Sequence, residues 1–226
     1  ASTVAALPPS IIWSQQYGTS SHDDASGVSV DTSGNVYVTG STLGSLGGLN
    51  SGGYDAYLSK YDDNGNSIWT KQFGTTGTDI GVKVSSDPFG NVFVTGRTTG
   101  ILGDSSAGGL DGFISKFDSN GASIWTKQFG TTGDEYSTSV STDNFGNAYI
   151  VGRTSGSLAA PSVGNFDVFV AKYESVGNRA WIKQFGTSTW DDSFGVSADA
   201  LGNVFVVGDT EGSLDGVNAG SRNISR

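Results

Sequence analysis

Trp13, Trp69, Trp125 and Trp181 are separated by 56 residues at every interval, and the eleven letters SIWTKQFGTTG at 67–77 return unchanged at 123–133. A period this regular, with no insertion or deletion, requires each unit to fold as one supersecondary block and to bury its apolar face against its neighbours. Every unit carries segments of period-two alternation, which in the first read GVSV, NVYVTG, DAYLSKYD and SIWTKQFG. Gly, Asn and Asp bound these segments, as they bound strands. The D-x-x-G-N and D-x-N-G connections are hairpin turns, in which Gly takes a positive φ and Asp bonds its own backbone. Four antiparallel strands per unit predict an all-β propeller of four blades.

Composition agrees with strands and removes several classes of function. The 35 glycines are spread along all 226 residues, leaving no stretch that reads as a helix. With no Cys there is no disulfide, thiolate metal site or cysteine nucleophile. Met is also absent, and the opening ASTVAA suits the mature end left by a removed signal peptide. No apolar run approaches the length of a membrane-spanning helix, so membrane insertion is not expected. A net charge of −10 and a pI of about 4.3 disfavour nucleic acid and anionic lipid as partners. The expected location is extracellular or at the cell surface.

The string GVSVDTSGNVYVTG, followed by a third strand ending in YD or FD, then NG, then a strand ending in QFG, resembles the bacterial β-propeller repeat family called SBBP. It is more distantly similar to NHL repeats. The resemblance covers nearly the whole chain. It implies that GVSV is the innermost strand and SIWTKQFG the outermost, and it points to bacterial, often cyanobacterial, surface or secreted proteins without assigned chemistry. On this order the chain divides into an N-terminal segment with an outer strand at 1–18, blades at 19–74, 75–130 and 131–186, and the inner part of a fourth blade at 187–226. The strand IIWSQQYG at 11–18 is therefore expected to complete the fourth blade and close the ring. The alternative is a larger array or a ring built across chains.

In a propeller the loops from second to third strand and from fourth to first strand share one face. Here these loops are long and varied, while the opposite face has only tight turns, so a binding site is expected on the long-loop face. Asp23, Asp79, Glu135 and Asp191 occupy one phase of the repeat. As a ring of carboxylates they are weak candidates to hold calcium or a cationic ligand; alternatively each accepts hydrogen bonds from turn amides of its own loop. One position earlier, His22, Thr78, Asp134 and Trp190 vary. The Trp190 indole suits stacking on a sugar or an aromatic ring, or packing across the top of the blades. Arg97 and Arg153 follow the second strand and either pair with the acidic ring or meet an anionic ligand. Asp55, Asp111 and Asp167 should tie the third strand to an adjacent loop.

A single His and the lack of any phosphate-cradling motif leave no catalytic constellation. No cofactor is expected beyond possible calcium, and an enzyme such as a lyase rests on fold analogy alone. The expected function is a non-catalytic, lectin-like binding module that recognises a glycan or a protein. The second expectation is an assembly subunit that uses its unfinished blade and termini between chains as a homo-oligomer. The tryptophans, with Phe73, Phe129 and Phe185 beyond them, are expected to cement one blade to the next.

Overall fold

The computed structural model describes residues 11–214, 216 and 223–225. They form four antiparallel sheets, each a meander in chain order. The first contains β1 (Asp23–Val30), β2 (Val36–Thr42), β3 (Asp55–Tyr61) and β4 (Ser67–Phe73). The second contains β5 (Asp79–Ser86), β6 (Val92–Thr98), β7 (Asp111–Phe117) and β8 (Ser123–Phe129). The third contains β9 (Glu135–Thr142), β10 (Ala148–Thr154), β11 (Asp167–Tyr173) and β12 (Arg179–Phe185). The fourth contains β13 (Asp191–Ala198), β14 (Val204–Thr210) and the short β15 (Asn223–Ser225).

The turns form as their residues dictate. Asp31 Oδ1 accepts the N–H groups of Ser33 and Asn35, both at 2.9 Å, and Gly34 takes φ 84°, where a side chain would be strained. This places the tight turns at one end of every sheet and the long loops at the other. Between sheets, neighbouring inner strands pack side by side: β1 against β5, β5 against β9, and β9 against β13. Leu58 and Ala56 of the first sheet share a core with Val84, Val94 and Phe113 of the second. Phe93 and Ile114 share the next with Val140, Ile150 and Phe169. β7 packs between the first and third sheets, and β3 between the second sheet and the rings of Trp13 and Tyr17, so both are buried at every residue rather than on alternate ones.

The outer strands clamp these layers. Trp69 Nε1 donates to the Ser119 carbonyl at 3.3 Å and Trp125 Nε1 to that of Ser175 at 3.2 Å, each in the third-to-fourth-strand turn of the following sheet. Phe73 meets Phe117 of the second sheet at 5.2 Å, and Phe129 meets Phe169 of the third at 5.4 Å. Trp69, Trp125, Phe73 and Phe129 therefore do pack one blade onto the next, whereas Phe185, expected to do the same, is 40% exposed and Trp181 makes its ring contact with Tyr149 of its own sheet.

The expected closure by the first strand is not formed. Residues 11–18 carry no ladder, and the third strand of the fourth sheet is Asn223–Ser225 itself, paired with Thr210, Asp209 and Gly208. The physical reason is where Trp13 docks: its Nε1 donates to the Asp63 carbonyl at 3.1 Å and its ring lies 6.3 Å from Tyr61. The segment thus takes, against the first sheet, the place that β4 takes against the second, without pairing to the fourth. Val28 and Val30 on β1 are each 59% exposed, whereas Val84, one repeat on, is 3% exposed.

Candidate functional site

The long-loop face is built from outer-strand glutamines upward. In the QFG ends of β4, β8 and β12, the Nε2 groups of Gln72, Gln128 and Gln184 donate to Asp55, Asp111 and Asp167 at 2.9, 2.7 and 2.8 Å. Their Oε1 atoms accept the main-chain N–H of Leu46, Leu102 and Leu158, each at 2.8 Å. The same aspartates accept N–H groups of Ser51, Ala107 and Val163 in the long loops. Third strand, outer strand and loop are thereby held as one body. Sequence reasoning singled out the aspartates but not the glutamines, whose recurrence in all three complete units was the available signal.

The four-carboxylate phase serves the loops one by one. Asp23 accepts Thr19 N–H and Thr42 Oγ1, both at 2.5 Å, while Asp79 accepts Thr75 N–H at 2.6 Å and the Thr98 hydroxyl. Glu135 accepts Thr131 N–H at 2.8 Å and Thr154 Oγ1 at 2.6 Å, and Asp191 accepts Thr187 N–H at 2.6 Å. Asp79, Glu135 and Asp191 are buried. Among the described residues no three His, Cys, Asp or Glu side chains gather as a metal site would require. This donor set does not fit calcium, which takes six to eight oxygens. For Asp23, burial raises the carboxyl pKa but the Thr42 and Thr19 bonds outweigh it, leaving the group below the usual carboxylate range.

Glu135 goes the other way: burial dominates, its threonine bonds only partly oppose it, and the nearby Asp111 adds to the rise. A carboxyl with a raised folded-state pKa binds protons more tightly when folded, so its contribution is fully present below the unfolded value and is lost as pH rises through the folded value. Glu135→Gln removes this titration. Relative to the parent chain the variant should be least favourable in acid and gain ground as pH rises to 7, measured as urea midpoints across that range. A gap independent of pH would show that Glu135 does not titrate differently on folding.

The varying phase has a simple backbone cause. The carbonyls of His22, Thr78, Asp134 and Trp190 accept the N–H of Leu43, Thr99, Ser155 and Glu211 at 2.9, 3.0, 3.0 and 2.9 Å, so the main chain is fixed while the side chain is free to differ. His22 is exposed, with its ring edge-on to Tyr54 at 5.8 Å. The Thr78 N–H donates to Thr99 Oγ1 at 2.8 Å, and Asp134 Oδ1 accepts Leu110 N–H at 3.1 Å.

Trp190 belongs to a larger group. Its ring lies 4.6 Å from Phe166, and the Arg153 guanidinium carbon stands 4.6, 5.2 and 5.3 Å from the ring centres of Tyr136, Phe166 and Trp190. Arg153 also pairs with the buried Asp192. Arg97 stacks over the other partner of this group, Tyr136, at 5.4 Å. Two of the sequence candidates for meeting an anion thus converge on one ring, and Trp190 joins them from the neighbouring sheet. Tyr136, Phe166 and Asp192 were not foreseen. Tyr136 and Asp192 are aimed by a repeated bulge: the inner strand swells opposite Gly40, Gly96, Gly152 and Gly208, where a Cβ would collide with the carbonyls of Asp24, Ile80, Tyr136 and Asp192. Phe166 stands just before β11 and bridges to Trp190.

The two arginines differ in one respect. The following sheet offers Asp192 to Arg153 but, at the equivalent position, Tyr136 to Arg97. Among the described residues Arg97 has no carboxylate partner. Burial pushes its pKa down, the Tyr136 hydroxyl opposes this, and the Arg153 charge adds to it. A guanidinium nevertheless stays cationic at any ordinary pH. Half-buried on an aromatic face, it can accept a planar anion in bidentate geometry.

Meandering four-strand sheets packed through their inner strands, with long loops on one face, define a β-propeller repeat protein. The chain belongs to the SBBP β-propeller repeat family, whose model matches residues 12–47, 68–103, 124–159 and 180–215. It is 30% identical over 168 residues to an uncharacterized WD repeat-containing protein of Acanthamoeba polyphaga mimivirus, covering 60% of this chain and 12% of that one. It is 24% identical over 174 residues to the regulatory protein FlaEY of Caulobacter vibrioides, covering 70% of this chain and 18% of that one. The chain therefore spans less than a fifth of either relative. Among solved structures it is similar to a Bacteroides caccae protein of unknown function, with a TM-score of 0.49 at 15% identity, covering 90% of this chain and 60% of the other.

Proposed function

We propose that the chain is a non-catalytic, secreted or surface-exposed binding module whose long-loop face recognises an acidic group on a protein or glycan. The observation that carries this reading is Arg97: a half-buried guanidinium on the Tyr136 ring, lacking the carboxylate that Arg153 has. A carboxylate brought by a ligand fills that role, and the low exposure of the site strengthens the pair relative to one in open water. Phe166 meets the same Tyr136 ring at 5.9 Å with Trp190 against it, and the pair offers apolar surface next to that ring. The WD-repeat and regulatory relatives are in keeping with a protein partner.

The test is a panel of uronate- and sialate-bearing glycans together with an acidic peptide library, screened against the intact chain and Arg97→Gln. Hits on the parent chain should weaken at least tenfold in the variant. Absence of any saturable hit, or hits indifferent to Arg97→Gln, would remove the proposal.

A further inference from the structure

A cleft of about 420 Å³ opens beside the outer strand of the second sheet, where the third sheet packs against it. Asp104, in the loop from β6 to β7, and Lys127 of β8 form one wall; Tyr173, Gly177, Asn178 and Arg179 of the third sheet form the other. The cleft shares no residue with the group around Arg97 and stands apart from the loop-face reading.

The repeat supplies an internal control. One period back, the same six positions hold Gly48, Lys71, Phe117, Gly121, Ala122 and Ser123. The lysine and the turn glycine are kept, while the other four positions have gained a carboxylate, a phenol hydroxyl, an amide and a guanidinium. Packing blade on blade requires none of these, because the first junction forms its Trp69 and Phe73 contacts without them. The lysine has also turned away from its place. A Cβ on Gly121 would meet Cε and Cγ of Lys71 at 2.9 and 3.0 Å, so that side chain lies across the turn. The atoms nearest a Cβ on Gly177 all belong to the Trp125 indole, at 3.1, 3.1 and 3.2 Å, and Lys127 instead faces Asp104.

The charges in the cleft alternate in sign. Lys127 Nζ stands 3.7 Å from Asp104 Oδ2, beyond direct hydrogen-bond distance, with 37% and 55% of the two side chains exposed. Such a pair contributes little to stability and yields readily to better partners. The Tyr173 hydroxyl links the other two charges: burial pushes its pKa up to about 12, the Arg179 charge and hydrogen bond oppose this, and the Asp104 charge adds to it. Among the described residues Arg179 has no carboxylate partner. Lys127, Asp104 and Arg179 thus present cation, anion and cation, each with hydrogen-bonding capacity left over.

We infer that this cleft binds a free acidic α-amino acid. The ligand's three charges mirror those of the cleft: its α-carboxylate takes Arg179 in bidentate geometry, its α-ammonium takes Asp104, and its side-chain carboxylate takes Lys127, released from Asp104. A plain anion would meet the Asp104 charge unrelieved, and a plain cation would face two like charges. The net −1 of the ligand matches the net +1 of the three cleft residues, a local excess of positive charge in a chain of net −10.

The probes are L-glutamate and L-aspartate, titrated into the full chain by isothermal calorimetry. Saturable binding of at least one is expected. Glutamine, glutarate and γ-aminobutyrate each lack one of glutamate's three charges and should bind at least tenfold more weakly than glutamate. Arg179→Ser and Asp104→Gly install the residues of the preceding copy, and each should weaken the amino acid at least tenfold. Both side chains are exposed, so these variants should keep the parent's circular dichroism and melting curve. Lack of saturation with both amino acids overturns the inference. So does glutarate binding as tightly as glutamate, or binding that neither substitution affects.

Discussion

Trp125→Ala should lower the melting temperature by roughly 6–12 °C, whereas Trp181→Ala should lower it by no more than a few degrees. The first figure follows from a loss of about 3 kcal/mol, the low end for removing a buried tryptophan because Trp125 is only half-buried. Each kcal/mol corresponds to about 2–4 °C in a chain of this size. The contrast arises because the two indoles share their own-sheet contacts but not the next-sheet ones. Trp125 faces Phe93 at 5.9 Å within its sheet and Tyr173 at 6.3 Å in the following sheet, where it also reaches the Ser175 carbonyl. Among the described residues Trp181 has a ring contact of the first kind alone, with Tyr149 at 6.2 Å. Thermal melts followed by circular dichroism decide it. Equal losses would place the indole's stabilising role inside its own sheet and defeat the view that it cements neighbouring blades.

The repeat made the sheets legible because every constraint on them is local or periodic. Alternation marks the strands, D-x-x-G-N marks the turns, and the 56-residue interval fixes which faces meet. The ends of the array were less legible. The phase of residues 11–18 matches that of an outer strand, but the segment joins no sheet ladder, and Trp13 docks on the Asp63 carbonyl of the first sheet instead. The fourth sheet likewise has Asn223–Ser225 as its third strand, a segment whose sequence departs from the DAYLSK pattern. For the candidate site, the phases of Arg97, Arg153 and Trp190 put them at the long-loop face, where they gather around Tyr136 and Phe166. Tyr136 and Asp192 escaped notice because they are set by a bulge opposite a glycine, a feature that changes where a side chain points without changing the alternation. Asp192 was further hidden beside Asp191, which belongs to the recurring loop phase while Asp192 does not.

That irregularity carries the second large effect. Arg153→Ala should destabilise the chain by about 3 kcal/mol, because it leaves the buried Asp192 carboxylate without its cation, and breaking a buried pair from one side costs about 3–5 kcal/mol. The lower end applies since a quarter of the Arg153 side chain is exposed, which lets water reach the vacated position. Loss of the guanidinium from three aromatic faces acts in the same direction. Asp192→Asn in the same chain removes the stranded charge, so the double variant should recover at least half of the loss. Urea unfolding of the parent, both single variants and the double variant closes the cycle. Arg97→Gln supplies the comparison: having no buried carboxylate to strand, it should cost under about 1 kcal/mol. If Arg97→Gln proves as damaging as Arg153→Ala, then Arg97 is a structural cation already satisfied within the fold, and the loop face loses the free charge on which recognition of an acidic partner depends.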